Sequence, residues 1–183
     1  LGPEMRSTGE VMGIDETFGL AFAKSQISAG DRLPTDGCVF LSLADRDKPG
    51  GIEAARRLVE LGFAIAATEG TAVALRDAGI DVAEVLAKLG DDGQVVGSDE
   101  EGGSRTAVDL IADGVCTLVV NSPRGRGPRA DGAYIRAAAG VAGIPILTTA
   151  AAALAAAEGM ADWRTHPLQV RSLQDIHARG RAS

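Results

Sequence analysis

Aromatic residues are scarce in this chain of 183 residues, which has one Trp, one Tyr and four Phe. Without large rings, the hydrophobic core has to be built from Ala, Val, Leu and Ile. Hydrophobic residues make up 45% and charged residues 23% of the sequence, ordinary values for a globular protein. The bias toward small apolar residues favours helices packed closely on a parallel sheet.

Cysteine and histidine are equally rare, with two of each. Cys38 and Cys116 lie in apolar stretches without Cys-x-x-Cys spacing, which predicts buried free thiols of a cytosolic protein. His166 and His177 fall in the C-terminal tail, where we expect structural roles. The sequence also has no Ser/His/Asp arrangement, metal-ligand spacing or Walker loop. It therefore indicates neither nucleophilic catalysis nor a metal centre.

The sequence lacks an apolar run of membrane-spanning length and a signal peptide, so we expect a cytoplasmic protein without a membrane partner. The formal net charge of -7 argues against a nucleic-acid partner. A local basic loop can still bind a small anion in an acidic protein. Because the chain opens at Leu1 rather than at a methionine, we expect a piece of a longer polypeptide.

Short apolar runs alternate with helical patterns from residue 37 onward. The predicted strands cover 38–43, 63–67, 82–86, 116–120 and 144–147, and the predicted helices cover 49–62, 71–78, 104–113, 134–142, 150–160 and 173–178. Ser104 is the expected N-cap of its helix, and the acidic segment 90–103 is expected to be a loop. This alternation predicts an α/β fold whose mostly parallel sheet has helices on both faces.

Residues 1–36 differ from the rest of the chain, with a polar start and one helical stretch at 16–28. We interpret them as a connector that leads into a domain at 37–183.

Ligands of open α/β sheets bind beyond the carboxyl ends of the strands, so polar residues at those ends are candidate ligand contacts. Lys48 follows the first strand and directly precedes a helix. A cation there opposes the helix dipole unless it shares an anion. A phosphate contact and a solvated lysine are both compatible with this position.

A second candidate, Thr68-Glu69-Gly70-Thr71, follows the second strand and opens a helix. Exposed N–H groups, two hydroxyl groups and the freedom of Gly70 would suit a phosphate. The same residues are also explained if Thr68 or Thr71 merely caps the helix.

The third candidate follows the fourth strand and consists of Asn121, Ser122 and a loop with three arginines, Arg124, Arg126 and Arg129. Guanidinium groups suit a phosphate or carboxylate, and an amide could contact a base or ribose. A solvated, mobile loop is the alternative. Since all three strand ends carry groups compatible with an anion, the sequence favours a phosphorylated small molecule.

Residues 1–13, LGPEMRSTGEVMG, are similar to the stretch that leaves the second synthetase half of carbamoyl phosphate synthase large chains. The rest of the chain resembles the C-terminal, methylglyoxal-synthase-like allosteric domain of that family. The matching segments are Phe40-Leu41-Ser42, Asp47-Lys48, Ala67-Thr68-Glu69-Gly70-Thr71-Ala72, Ala78-Gly79-Ile80, Asn121, Thr148-Thr149 and Ser172-Leu173-Gln174-Asp175-Ile176-His177.

The resemblance implies a Rossmann-like three-layer sandwich with five parallel strands that binds UMP, or IMP at the same site. It assigns nucleotide contacts to Lys48, Thr68, Thr71, Asn121 and, with a shift of one residue, Lys88. Some members also bind ornithine as an activator. Here Ile146-Leu147-Thr148-Thr149 replaces the Tyr-Asp-Thr-Thr often found there, so Thr148 would be a remnant of that site.

The resemblance further implies a regulatory part of the glutamine-dependent ATP-dependent ligase of pyrimidine and arginine biosynthesis. Its partners would be the rest of the large chain, which uses ATP with Mg²⁺ or Mn²⁺, and the glutaminase small chain. We expect no cofactor in this domain.

Two enzymes are alternatives to the regulatory interpretation. A methylglyoxal synthase, a lyase acting on dihydroxyacetone phosphate, would need a carboxylate base and a histidine near the phosphate. The cyclohydrolase half of a purine enzyme shares an early Ser-x-x-Asp-x-x-Lys-like pattern, but the N-terminal connector argues against it.

Overall fold

A computed structural model describes residues 11–89, 95–96, 105–122, 130–166 and 168–180 of the chain. The strands are β1 (Cys38–Ser42), β2 (Ala64–Thr68), β3 (Glu84–Leu86), β4 (Lys88–Leu89), β5 (Val95–Val96), β6 (Cys116–Asn121) and β7 (Ile146–Leu147). The α-helices are α1 (Phe18–Ala29), α2 (Lys48–Glu60), α3 (Glu69–Asp77), α4 (Ala107–Ala112), α5 (Ala130–Ala142), α6 (Ala150–Thr165) and α7 (Leu173–Gly180), and a 3₁₀ helix spans Asp45–Asp47. None of these helices has both the length and the apolar composition needed to cross a bilayer.

Five strands form one parallel sheet in the order β3-β2-β1-β6-β7. The chain winds outward from β1 through β2 to β3, then returns to place β6 on the other side of β1. Such a reversal of strand order opens a crevice at the carboxyl ends of the two central strands. Here those strands are β1 and β6, with Ser42 opposite Asn121 in the register.

The sheet is covered by helices on both faces, as the apolar runs predicted. On β1, Val39 and Leu41 belong to a core shared with α1, α2, α3 and α6, whereas Phe40 belongs to a core shared with α4 and α5. All three residues are fully buried. Successive side chains point to opposite faces of a strand, so a continuous apolar run is what a two-sided core requires. The predicted α/β three-layer sandwich is confirmed.

Some predicted boundaries were wrong. The third strand starts at Glu84, and the last strand covers only Ile146–Leu147. Segment 90–103 is not all loop, because Val95–Val96 pairs antiparallel with Lys88–Leu89. The remainder of 90–103 lies outside the described residues, as does Ser104.

Thr106, not Ser104, is the N-cap of α4. The Thr106 hydroxyl accepts a hydrogen bond from Asp109 N, and Thr106 N donates to Asp109 Oδ2 at 2.8 Å. This capping box satisfies two backbone donors at once, which a lone serine cap does not. Hydrogen bonds from Thr106 also lower the pKa of the Asp109 carboxyl. The helix therefore starts two residues later than a cap at Ser104 would allow.

The two cysteines confirm the prediction of buried free thiols. Burial raises the pKa of Cys38 to about 11 and also raises the pKa of Cys116. Because the thiolate is the reactive form of cysteine, both side chains act as small apolar residues at the sheet.

Helix α1, which lies within the predicted connector 1–36, packs directly on α6. The helices touch at two glycines: a Cβ at Gly19 would lie 2.8 Å from Gly159 N, and a Cβ at Gly159 would lie 2.5 Å from Gly19 O. The Thr17 hydroxyl donates to Asp162 Oδ2 at 2.6 Å beside this contact. Ala23 of α1 joins the core shared with α6. The predicted boundary at residue 36 remains a prediction.

The contact between α1 and α6 predicts the effect of Gly19→Ala. The added methyl group would meet backbone atoms, which cannot rotate away, so we expect a loss of about 1–3 kcal/mol of unfolding free energy. Denaturant unfolding measures this loss. Gly140→Ala in α5 is the matched control, because a Cβ there meets nothing within 4 Å. That variant should be as stable as the wild type or more stable, since alanine favours a helix. Equal stability of both variants would contradict the close helix contact.

Candidate functional site

The parallel strands bring the predicted polar residues to one edge of the sheet. Thr68 ends β2 and Asn121 ends β6, on either side of β1. Lys48 follows β1 after a short turn and the 3₁₀ helix, and starts α2. These positions surround the crevice at the reversal of strand order, where sheets of this kind bind ligands.

Three helices also begin at this edge, because α2, α3 and α6 follow β1, β2 and β7. The starts of α2 and α6 are neighbours: a Cβ at Gly50 would lie 3.2 Å from Ala150 Cβ. Helix N-termini present backbone N–H groups and partial positive charge. The edge is therefore suited to an anion although the whole chain is acidic.

The Lys48 ammonium group lies 2.8 Å from Asp45 Oδ1, three residues earlier. The lysine side chain is 25% exposed and the aspartate side chain 82% exposed. An ion pair this open to solvent contributes at most about 1 kcal/mol. A phosphate could thus take the place of the Asp45 carboxylate at little cost.

Thr68 and Thr71 are both buried, and their hydroxyl groups bond to each other at 3.2 Å. Thr71 Oγ1 also accepts a hydrogen bond from Leu43 N at 3.0 Å, which ties α3 to the segment after β1. Thr68 occupies the N-cap position of α3, but its side chain makes no capping hydrogen bond. The alternative that Thr68 or Thr71 acts simply as a side-chain cap is therefore not realised. The first turn of α3 keeps its N–H groups directed toward the edge.

Ser122 is buried and serves as a second tie to the segment after β1. Its hydroxyl accepts a hydrogen bond from Ala44 N at 2.8 Å, and its own N–H donates to Ser42 O at 2.9 Å.

Asn121, before Ser122, is half-buried, and its Nδ2 would lie 3.3 Å from a Cβ at Gly132. The glycine leaves room for this amide beside α5. Arg124, Arg126 and Arg129 lie outside the described residues.

Lys88 shares a small pocket with Thr68, on the side of the sheet covered by α4 and α5. The walls of the pocket are Phe40, Thr68, Ala87, Lys88, Leu89, Ala107 and Ile135. Apart from Thr68 and Lys88, these residues were not recognised from the sequence. They are ordinary apolar residues, and only the folded topology brings them together.

Gly70 is half-buried in the first turn of α3, next to Thr68. Thr148 is exposed and follows β7, at the outer end of the same edge. The next residue, Thr149, caps α6 by accepting a hydrogen bond from Ala152 N at 3.1 Å. Thr148 therefore follows the strand that pairs with β6, and β6 and β1 lie between it and Thr68 of β2.

Neither histidine is near the candidate site. His166 is the C-cap of α6, whose N-terminus lies at the site. Sixteen residues of helix extend about 24 Å, so His166 is at the opposite edge of the sheet. His177 is on α7, after that end of α6. The described residues also contain no group of three or more His, Cys, Asp or Glu able to hold a metal ion.

A five-stranded parallel sheet with helices on both faces defines the Rossmann-like class of α/β fold. Residues 50–148 match the sequence model of a family described as MGS-like domain. The chain belongs to this family.

Named relatives match the chain over almost its whole length. It is 49% identical over 98% of its length to the carbamoyl phosphate synthase large chain of Micrococcus luteus, and covers 16% of that protein. A large chain from Rubrobacter xylanophilus is also 49% identical, over 97% of this chain and 16% of that protein. The "Carbamoyl phosphate synthase large chain, C-terminal section" of Methanopyrus kandleri is 46% identical, over 97% of this chain and 31% of that protein. The chain thus spans only a minor part of the relatives it matches.

The buried bond between Leu43 and Thr71 predicts the effect of Thr71→Val. Valine keeps the shape of threonine but leaves the Leu43 N–H without its acceptor, so we expect a loss of about 1–3 kcal/mol of unfolding free energy. Hydrogen exchange at Leu43 should also become faster. Thr71→Ser is the control, because it keeps the acceptor and should leave that exchange rate close to the wild-type value. Slow exchange at Leu43 in the valine variant would show that the bond does not hold this segment.

Proposed function

We propose that this chain is the regulatory domain of a glutamine-dependent carbamoyl phosphate synthase large chain and binds a UMP-type nucleotide. The observation that carries the proposal is the convergence of Lys48, Thr68 and Asn121 on one crevice at the starts of α2 and α3. The named relatives agree with this assignment, since they are large chains of that synthase.

The nucleotide phosphate would bind at the first turn of α3, where the N–H groups near Gly70 accompany the Thr68 hydroxyl. The Lys48 ammonium group would bind the phosphate in place of the Asp45 carboxylate. Loss of this solvent-exposed ion pair would cost little free energy. Thr71 is fully buried, so we assign it to positioning Thr68 and the segment after β1. Lys88 shares the pocket with Thr68 and would add a second cation.

The base and ribose would extend toward Asn121 across β1. The half-buried amide can donate and accept hydrogen bonds, as recognition of a base or a sugar hydroxyl requires. For ornithine, the corresponding segment would offer Thr148 after the apolar strand Ile146–Leu147, while the Thr149 hydroxyl is used to cap α6. We therefore favour the nucleotide as the effector, with IMP as a competitor for the same site.

Regulation would act by coupling nucleotide binding to the arrangement of this domain against the rest of the large chain. Coupling free energies of this kind are typically about 1–3 kcal/mol. The synthetase part would use ATP with Mg²⁺ or Mn²⁺, and the glutaminase small chain would supply ammonia for carbamoyl phosphate in pyrimidine and arginine biosynthesis. The domain itself would need no cofactor and would work in the cytoplasm.

The residues of the proposed site fit the binding of an effector better than they fit the reaction of a methylglyoxal synthase. Abstraction of a proton from dihydroxyacetone phosphate requires a base beside the phosphate and a group that stabilises the developing charge. The chain has only two histidines, and His166 caps the far end of α6. The nearest described carboxylate to the Lys48 ammonium group is its exposed partner Asp45.

Lys48→Ala should weaken UMP binding by roughly tenfold to a hundredfold, since charge-assisted hydrogen bonds contribute about 1.5–3 kcal/mol. Calorimetric titration with UMP, IMP and ornithine side by side measures the affinities. Arg56→Ala is the matched control, because it removes one positive charge from the same helix at an exposed pair with Glu53. The control should bind UMP normally. Equal affinity of the Lys48 variant and the wild type would contradict the assignment of the phosphate position.

The wild-type chain should release no methylglyoxal from dihydroxyacetone phosphate above the rate of the spontaneous reaction. The physical reason is the lack of a histidine at the phosphate end of the crevice. A colorimetric assay for methylglyoxal, with an authentic methylglyoxal synthase as positive control, makes the measurement. Turnover that disappears in Lys48→Ala would replace the regulatory proposal with the lyase.

A further inference from the structure

We propose that Ser122 is a positioning residue that fixes the 3₁₀ helix leading into Lys48, and so sets the place of the ammonium group for a ligand. This inference deepens the proposed function and rests on it for the identity of the ligand. Ser122 itself is buried, so its hydroxyl acts through Lys48 rather than by contact with the nucleotide.

Two hydroxyl groups hold consecutive N–H groups of the segment after β1. Leu43 N donates to Thr71 Oγ1 at 3.0 Å, and Ala44 N donates to Ser122 Oγ at 2.8 Å. The two acceptors come from opposite sides of β1, one from α3 and one from the end of β6. This pair of bonds, which we name the hydroxyl clamp, spans the crevice.

The clamp matters because the clamped residues are buried. Leu43 is 1% exposed and Ala44 is 4% exposed, so water cannot easily replace either hydroxyl. A buried donor without an acceptor costs about 1–3 kcal/mol. The segment would therefore shift toward solvent if the Ser122 hydroxyl were removed.

A short series of backbone bonds connects the clamp to Lys48. Ala44 donates through its N–H to Ser122, and its carbonyl accepts from Asp47 N at 2.9 Å to start the 3₁₀ helix. The Lys48 N–H then donates to Asp45 O and ends that helix. A movement of Ala44 thus changes the direction in which Lys48 enters α2.

Ser122 also joins this segment to the strand that carries Asn121. Its N–H donates to Ser42 O at 2.9 Å, next to the register pair of Ser42 and Asn121. The two sides of the proposed nucleotide site therefore share one residue, and removing its hydroxyl should disturb the side that carries Lys48 while leaving the strand pairing in place.

The test compares Ser122→Ala and Ser122→Thr with Thr117→Val. Thr117 lies on β6, the strand that Ser122 follows, and its hydroxyl donates to Asp36 O at 3.0 Å beside the start of β1, so its loss removes a side-chain hydrogen bond far from the crevice. The measurements are thermal stability, hydrogen exchange over residues 42–48 by mass spectrometry, and UMP affinity by calorimetry.

We expect Ser122→Ala to exchange faster over residues 42–48 and to bind UMP about tenfold more weakly, which corresponds to one unsatisfied buried donor. Ser122→Thr keeps a hydroxyl group, so it should keep the wild-type exchange rate over residues 42–48 and the wild-type UMP affinity. Thr117→Val should lose stability but keep the wild-type exchange over 42–48 and the wild-type UMP affinity.

Unchanged exchange over 42–48 in a folded Ser122→Ala variant would overturn the inference, and so would faster exchange with wild-type UMP affinity. If the wild-type chain does not bind UMP at all, the proposed ligand is wrong. The exchange comparison then still decides whether Ser122 holds the segment that carries Lys48.

Discussion

The burial of β1 on every side is the constraint on which the rest of the structure depends. Helical layers cover both of its faces, and β2 and β6 pair with both of its edges. Val39, Phe40 and Leu41 are consequently inaccessible to water. Beyond its carboxyl end, the N–H groups of Leu43 and Ala44 are held by hydroxyl groups from α3 and from the residue after β6.

The sequence contained enough information for the layers of the fold and for the edge of the sheet at which the candidate site residues lie. A continuous apolar run such as 38–43 signals a strand buried on both faces, and parallel strands align their carboxyl ends, so Lys48, Thr68 and Asn121 were expected at one edge. Local sequence patterns did not identify the right residue where two neighbouring residues have a similar propensity for the same position, such as a helix N-cap. Ser104 and Thr106 are both good caps, and only the carboxylate of Asp109, three residues after Thr106, distinguishes them.

Roles that depend on contacts between distant parts of the chain left no recognisable pattern in the local sequence. Ser122 follows a strand and precedes three arginines, which suggested contact with an anion, but its hydroxyl bonds to Ala44, 78 residues earlier. Similarly, the pair of residues 88–89 and 95–96 is too short to stand out in the acidic segment around it. In both cases the deciding partner is chosen by the topology of the sheet, which local composition does not encode.

The contact between Gly19 and Gly159 has a consequence for which piece of this chain folds by itself. The family match spans residues 50–148, which omits β1, α1 and α6. A fragment cut to that span would lose its central strand, and one that began after α1 would uncover the glycine groove of α6 together with the apolar surface around Ala23. A fragment that keeps this helix contact therefore has to include both Thr17 and Asp162, well beyond the span by which the family is recognised.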